Sequence, residues 1–204
     1  MIAIIDYGLG NVLAFANMYR RMAVPVSIAR TAEDLADATK LILPGVGAFD
    51  YAMDSFRRSG MYDVAVERVT KDKVPVLGIC VGMQMLAASS EEGSSTGLNW
   101  VPGIVRKLDT TCFTQRTQLP HMGWNDVRPN QSTPLFAGLE TNARFYFLHS
   151  YYFDCQSSDD VLASVEYGTQ FACAVNHENV YGVQFHPEKS HEFGARLLKN
   201  FADI

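Results

Sequence analysis

The stretch VPVLGICVGMQML, residues 74–86, joins two patterns that together decide the fold. An apolar run typical of a strand reaches a glycine, and a helical pattern begins near Val81. Cys80 stands between Gly78 and Gly82, at the point where the two patterns meet. Glycines there permit a tight turn and close packing of neighbouring backbone, as in the strand-to-helix turn that presents a nucleophile. The stretch therefore predicts a buried central strand, a tight turn and a helix, with a cysteine on the turn.

The first half of the chain repeats this alternation of strand and helix. Apolar runs of strand type lie at residues 2–6, 24–29, 40–44 and 74–79, and amphipathic helical patterns lie at 11–22, 32–38 and 49–70. Alternation of this kind is typical of a parallel sheet with helices on both faces, whose strands are buried on both sides.

The second half has a different texture. After a polar loop at 89–97, strand patterns follow with few helices between them, at 101–108, 144–153, 161–167, 171–176 and 180–185. A last amphipathic helix is predicted at about 191–201. We expect these strands to extend the sheet in mixed or antiparallel fashion. The prediction is one α/β domain over residues 1–204, a flavodoxin-like three-layer fold around a mixed, mostly parallel sheet.

Composition limits the classes of function. Of 204 residues, 48% are hydrophobic and 19% are charged, which is the profile of a globular chain rather than a disordered one. The net charge is -5 and the 17 Lys and Arg residues are scattered, so a nucleic-acid partner is not indicated. The amino terminus does not resemble a secretory signal, and no apolar run is long enough for a membrane span. We predict a cytoplasmic protein without a membrane partner.

Metal and disulfide chemistry are not predicted. The four cysteines are widely spaced and form no CxxC pair. The pairs His177–Glu178 and His191–Glu192 each lack the second histidine of a metalloprotease motif. We therefore expect neither a metal nor another cofactor.

A base that can serve Cys80 lies near the other end of the chain, in YGVQFHPEKSH at residues 181–191. The residue before a proline is extended, and alternate residues of an extended chain face the same side. His186 and Glu188 can therefore point one way, and a carboxylate beside an imidazole fixes its tautomer and stabilises its charged form. Taken alone, a cysteine such as Cys80 is more often a buried packing residue than a nucleophile. A His–Pro–Glu segment taken alone is as often a surface turn as part of a catalytic site. Together they favour nucleophilic catalysis.

Three motifs resemble those of the class I (triad) glutamine amidotransferases. GICVGMQ at 78–84 is similar to their nucleophile motif, QFHPEKS at 184–190 to their His/Glu motif, and LPGVGAF at 43–49 to their oxyanion loop. The motifs occur in the family's order and span nearly the whole chain. The resemblance implies that Cys80 attacks the glutamine amide, that His186 transfers protons and that Glu188 orients His186.

The same resemblance implies a substrate pocket. The backbone N–H groups of Val81 and Val46 are expected to form the oxyanion hole, and glutamine is expected to be bound by Gly47, Gln84, Glu92, Ser150 and Tyr151. Gln84 lies one helical turn beyond Cys80 and can face the same pocket, although a solvated glutamine is as common at such a position. A glutamate in a polar loop, such as Glu92, is also usually solvated.

Three further stretches resemble segments that imply a partner subunit: DYGLGN at 6–11, HMGWN at 121–125 and FLHSYY at 147–152. They narrow the resemblance to the glutaminase branch that forms a heterodimer with a separate cyclase subunit in histidine biosynthesis. The implied interface residues are Asn11, His121, Met122, Trp124 and Asn125. We expect the PGVG loop to rest in an incomplete geometry, so that partner docking activates the chain.

Two alternatives stay open at this point. One is a non-catalytic interaction module that keeps the fold, against which the complete set of Cys80, His186 and Glu188 speaks. The other is a glutaminase of another pathway, against which the DYGLGN and HMGWN stretches speak.

Overall fold

The computed structural model describes residues 1–112 and 118–204, and most of its strands belong to one mixed sheet. In chain order the strands are β1 (Ile2–Ile5), β2 (Val26–Ala29), β3 (Lys40–Gly45), β4 (Val76–Cys80), β5 (Ser89–Ser90), β6 (Gly103–Lys107), β7 (His121–Asp126), β8 (Arg128–Pro129), β9 (Arg144–His149), β10 (Tyr151–Cys155), β11 (Val161–Glu166), β12 (Gln170–His177) and β13 (Val180–Val183).

The large sheet has a parallel part and an antiparallel part. Strands β2–β1–β3–β4–β13 are parallel neighbours, and β12, β10 and β6 continue the sheet in antiparallel fashion. Strands β1 and β4 are buried along their whole length, as expected for parallel strands covered on both faces. The predicted α/β fold with a central mixed sheet is confirmed, and β4 lies at its centre.

Five α-helices lie in the described residues: α1 (Val12–Arg21), α2 (Phe49–Arg58), α3 (Tyr62–Thr70), α4 (Val81–Gln84) and α5 (His191–Asp203). In α1 the buried side chains are Val12, Phe15, Ala16 and Tyr19, which is the spacing of one helix face. Their burial against the sheet explains why this segment is helical.

The helix predicted over residues 49–70 is two helices. The chain breaks between α2 and α3 at Gly60, whose φ of 77° lies in the left-handed region that ends helices. The Ser59 hydroxyl donates to the Phe56 carbonyl at 2.7 Å and accepts from the Met61 N–H at 3.2 Å. Local turn chemistry therefore overrides the continuous amphipathic pattern.

The helix predicted over residues 32–38 is only a short 3-10 turn, Glu33–Leu35. The Asp34 carboxylate accepts hydrogen bonds from the backbone N–H groups of Arg30 and Thr31, at 2.8 and 3.0 Å. These bonds hold the carboxylate in place and keep the pKa of Asp34 below its usual value. Side-chain bonds to the backbone of this kind compete with a regular helix.

The strand predicted over residues 144–153 is two strands, and the prediction that it extends the large sheet is correct for β10 but wrong for β9. Strand β9 does not extend the large sheet but pairs with β7 in a separate two-stranded antiparallel sheet, with His121 opposite His149. Residues 121–126 carried no strand prediction. The pairing brings two segments together that are distant in sequence, and local pattern does not encode such a partner. We call this β7–β9 pair the small sheet.

No helix within residues 1–112 and 118–204 combines the length and apolar character needed to cross a bilayer.

Candidate active site

Cys80 ends β4 in a strained backbone conformation, and Val81 begins α4. The φ of Cys80 is 56° and its ψ is -114°, a region that side-chain-bearing residues rarely adopt. A Cβ at position 78 would lie 2.6 Å from the Gly82 carbonyl oxygen, and one at position 82 would lie 1.9 Å from the Leu43 carbonyl oxygen. Glycine is therefore required on both sides of the turn, as the sequence pattern suggested.

The candidate oxyanion loop packs directly on this turn. A Cβ at Gly45 would lie 2.5 Å from the Gly82 backbone nitrogen, so the two backbones approach without side chains between them. Gly47 has a φ of 92°, which favours glycine, and Val46 between them is 41% exposed. Val81 is the first residue of α4, where a backbone N–H has no acceptor within the helix. Both predicted oxyanion residues therefore lie beside Cys80.

His186 and Glu188 form a buried pair. The His186 Nδ1 atom lies 2.9 Å from Glu188 Oε1, and their side chains are 5% and 3% exposed. The backbone around them is fixed by Tyr146 and Ser190. The His186 N–H donates to the Tyr146 carbonyl at 2.8 Å, and the Ser190 hydroxyl donates to the His186 carbonyl at 2.6 Å. The predicted pairing of imidazole and carboxylate is present in the structure.

The charge state of His186 follows from competing effects. Burial lowers its pKa, but hydrogen bonds and attraction from Cys80 and Glu188 outweigh burial and raise the pKa to about 9. The His186 ring is therefore charged at neutral pH. An imidazolium so placed can donate a proton to a leaving group.

One cavity of about 250 Å³ is lined by nine of the ten residues predicted to be catalytic, oxyanion-stabilising or glutamine-binding. It is lined by Val46, Gly47, Cys80, Val81, Gln84, Glu92, Leu148, His149, Ser150, Tyr151, His186 and Lys189. Glu188 is not in the lining; it lies behind His186. The structure thus brings together the candidate triad, the oxyanion loop and the predicted glutamine-binding residues.

Two of the predicted pocket residues are held by specific hydrogen bonds. The Glu92 carboxylate accepts from the Phe49 N–H at 2.8 Å, at the start of α2. Gln84 is buried, and its amide donates to the Tyr151 carbonyl at 3.2 Å and to Gln184 Oε1 at 3.0 Å. Neither side chain is simply solvated, which was the competing interpretation for both.

Sequence reasoning missed three residues of the site. Gln184 is fully buried, and its amide lies 3.8 Å from the Cys80 sulfur. The Tyr7 hydroxyl donates to the Pro44 carbonyl at 2.7 Å, beneath the oxyanion loop. His149 lines the cavity. The alternation that paired His186 with Glu188 also places Gln184 on the same side, so that signal was available in the sequence.

The predicted interface residues do not share one environment. Asn11 is exposed, and Met122 and Trp124 are 63% and 39% exposed on β7. Asn125 is half-buried. His121 is only 2% exposed, because its ring lies between those of Phe147 and Tyr167. His121 therefore does not present its side chain at the surface, and its role at an interface stays a prediction.

Comparison with known proteins defines the class of this chain. A family model described as glutamine amidotransferase class-I matches residues 3–204. The fold is shared with a solved glutamine amidotransferase at a TM-score of 0.72 and 19% identity, covering 100% of this chain and 99% of the other. PurLQS from Thermotoga maritima gives a TM-score of 0.71 at 17% identity, covering 99% and 97%. The chain belongs to the class I glutamine amidotransferase family.

Full-length relatives narrow the class further. The chain is 63% identical over 204 residues to the imidazole glycerol phosphate synthase subunit HisH of Bdellovibrio bacteriovorus, covering 100% of both proteins. It is 48% identical to the protein of the same name from Leptospira interrogans, again over 100% of both. Within its family, the chain is therefore similar to the HisH subunits over its full length.

Proposed function

We propose that this chain is the glutaminase subunit of imidazole glycerol phosphate synthase. It hydrolyses glutamine to glutamate and ammonia and passes the ammonia to a cyclase subunit, which forms imidazole glycerol phosphate and AICAR in histidine biosynthesis. The observation that carries the proposal is Cys80 on its strained turn, in one cavity with the His186–Glu188 pair. Full-length identity of 63% to a HisH subunit supports the particular pathway.

The first half of the proposed reaction is acyl transfer. The Cys80 thiolate attacks the side-chain carbonyl carbon of glutamine, and the carbonyl π electrons move onto oxygen. The backbone N–H groups of Val81 and Val46 stabilise this oxyanion, and one such donor is worth about 10²–10³ in rate. As the C–N bond breaks, His186 donates its proton to the departing nitrogen. Ammonia leaves and a γ-glutamyl thioester remains on Cys80.

The second half is hydrolysis of that thioester. His186 is now neutral and removes a proton from water as the water oxygen attacks the thioester carbon. The C–S bond then breaks, which releases glutamate and restores the Cys80 thiolate beside the His186 imidazolium. Glu188 keeps the imidazole in one tautomer and stabilises its charged form in both halves. The thiolate, the imidazole and the attacking water supply every proton and electron pair that these steps need.

The requirement for a partner follows from the fate of ammonia. Ammonia released into neutral water is protonated and stops being a nucleophile, so it is useful only if it reaches a synthase directly. The relatives are named as subunits. Apolar side chains exposed near the site and on α1, including Leu13, Met122, Trp124 and Leu148, suit a docking face for a cyclase subunit in a cytoplasmic heterodimer.

The test is reconstitution with the cyclase subunit encoded by the same genome. The chain and the cyclase should co-purify at a 1:1 ratio, and the complex should use glutamine to form imidazole glycerol phosphate. The isolated chain should hydrolyse glutamine slowly, and the complex holding the cyclase substrate should hydrolyse it faster. Glutaminase activity without cyclase binding would point to another pathway. Cyclase binding without any glutamine hydrolysis would point to an interaction module.

A further inference from the structure

A chain of hydrogen bonds runs from the half-buried Asn125 of the small sheet to the buried surroundings of Cys80. It starts at Asn125, whose side-chain oxygen accepts from the Asp126 N–H at 2.8 Å and whose amide donates to the Glu166 carbonyl at 2.8 Å. The orientation of this amide is thereby fixed. The Asn125 nitrogen also lies 3.2 Å from His121 Nε2, which must act as an acceptor.

The two histidines then have only one consistent arrangement. His121 Nδ1 lies 2.9 Å from His149 Nε2, and His149 Nδ1 lies 2.8 Å from the Tyr151 carbonyl oxygen. A carbonyl oxygen only accepts, so His149 Nδ1 carries a proton and its Nε2 accepts from His121 Nδ1–H. Starting from Asn125 gives the same tautomers. Both rings are therefore neutral, with the proton on Nδ1.

The chain continues into the glutamine pocket. The Tyr151 carbonyl accepts a second bond from Gln84, whose amide also donates to Gln184. Gln184 in turn lies 3.8 Å from the Cys80 sulfur. Both N–H bonds of the Gln84 amide are thereby engaged on one side, and its oxygen is left for the cavity that it lines.

We propose that His149 is a positioning residue for glutamine attack, acting through its Nδ1–H bond to the Tyr151 carbonyl and through that carbonyl on the Gln84 amide. His121 fixes the required tautomer of His149 by donating to its Nε2. Hydrogen bonds that begin in the small sheet thus hold Tyr151 and Gln84 in place in the glutamine pocket. This inference rests on the proposed function, because it concerns how the same pocket holds glutamine.

A matched pair of substitutions tests the bond. Asparagine at position 149 can place a donor near the site of Nδ1, whereas glutamine reaches only the site of Nε2. In complex with the cyclase, His149→Gln should lower kcat/KM for glutamine by about tenfold or more, as expected for a lost buried hydrogen bond. His149→Asn should stay within about threefold of wild type. Ammonia-dependent synthesis should be unchanged in both, because it does not use the pocket.

Equal loss in the two variants, or loss in neither, would overturn the proposal. Thermal unfolding of each complex separates a local effect from general destabilisation. If both variants fail to fold, nitrogen-15 NMR of histidine-labelled wild-type complex still decides: the expected tautomer of His149 carries its proton on Nδ1, and a proton on Nε2 contradicts the mechanism. Wild type without glutaminase activity would refute the proposed function instead, so the two failures are distinguishable.

Discussion

His186 and His149 are both buried near the same cavity, yet at neutral pH the ring of His186 is positively charged and that of His149 is neutral. Their exposed fractions are 4% and 6%, so burial alone does not distinguish them. The pKa of His186 is raised to about 9, whereas that of His149 is lowered to about 3. Burial favours the neutral form in both.

The difference lies in the partners of the two rings. His186 faces Cys80 and the Glu188 carboxylate, whose negative charge outweighs the cost of burial. The pKa of His149 is lowered by burial first and then by the repulsion that a charge on its ring would meet from His186 and from a charged His121. Its bond to the Tyr151 carbonyl only partly opposes this. The charged ring of His186 can therefore donate a proton, whereas the neutral ring of His149 holds a fixed hydrogen-bond direction.

Removing the proposed nucleophile should have the largest effect. Cys80→Ala deletes the sulfur that is proposed to attack glutamine and one of the two groups that raise the pKa of His186. In the complex, glutamine-dependent synthesis should fall by at least about 10³-fold, since loss of a nucleophile removes the covalent route. Ammonia-dependent synthesis should continue near the wild-type rate. Glutamine use by the Ala variant at near wild-type rate would refute the assignment.

Alkylation of the wild-type chain provides the companion measurement. Glutamine should protect Cys80 from a thiol reagent, and Cys155 and Cys173 should stay unmodified. Burial raises the pKa of both of these thiols, that of Cys155 to about 12, so neither forms thiolate at neutral pH. We also predict no labelling of Cys112 under these conditions.

Glu188→Gln should have the next largest effect, because it removes the carboxylate beside His186 while keeping the side-chain shape. The pKa of His186 should fall toward its ordinary value, and kcat/KM for glutamine should fall by about 10²–10³. In the pH–rate profile, the limb that reports loss of the imidazolium should move to lower pH. The control is Glu178→Gln, an exposed carboxylate paired with Lys73 at 2.7 Å, which should leave the profile unchanged.

The parts of the site that are local in sequence were predictable, and the parts that depend on distant pairing were not. The turn at Cys80 follows from flanking glycines, and the pairing of His186 with Glu188 follows from alternation in an extended chain. Each motif lies on a few consecutive residues. Order along the chain then identified the family that combines them.

The burial of His121 is a feature that the sequence analysis did not foresee. Along β7, Met122 and Trp124 are exposed, whereas His121 is buried on the opposite side. Alternation in a strand predicts this separation, but it applies only once residues 121–126 are recognised as a strand. That recognition requires β9 as a partner, and β9 lies about twenty residues further along the chain. The His121–His149 contact was therefore invisible before the pairing was known.

Acid should reveal the neutral histidine pair through stability. The pKa values of His121 and His149 are lowered to about 4 and about 3 in the folded chain. Between about pH 6.5 and these values, both histidines are therefore protonated in the unfolded chain and neutral in the folded chain. Stability should therefore fall as the pH drops from 6.5 to 5, by about 2 kcal/mol for each histidine that keeps its low pKa. His186 acts in the opposite sense: its stabilisation is complete below 6.5 and is lost as the pH rises through about 9.

Urea unfolding of the isolated chain between pH 5 and 8 measures this effect. In the double variant His121→Asn, His149→Asn, the free energy of unfolding should lose most of its pH dependence between about pH 6.5 and 5. The reason is that both histidines with a lowered pKa are removed. A slope that is unchanged in the double variant would assign the acid sensitivity to other groups and contradict the neutral pair.

Substitution of the partly exposed His177 should change stability least among the histidine variants. Its Nδ1 atom lies 3.0 Å from Asp160 Oδ1, but its side chain is 41% exposed, so water already solvates the ring. Exposed pairs of this kind contribute at most about 1 kcal/mol. His177→Gln should therefore change the free energy of unfolding by less than about 1 kcal/mol at pH 7 and leave the acid slope of the buried pair intact. Because the substitution removes a histidine without disturbing the buried ones, loss of that slope in His177→Gln would show that exposure does not separate the histidines as argued.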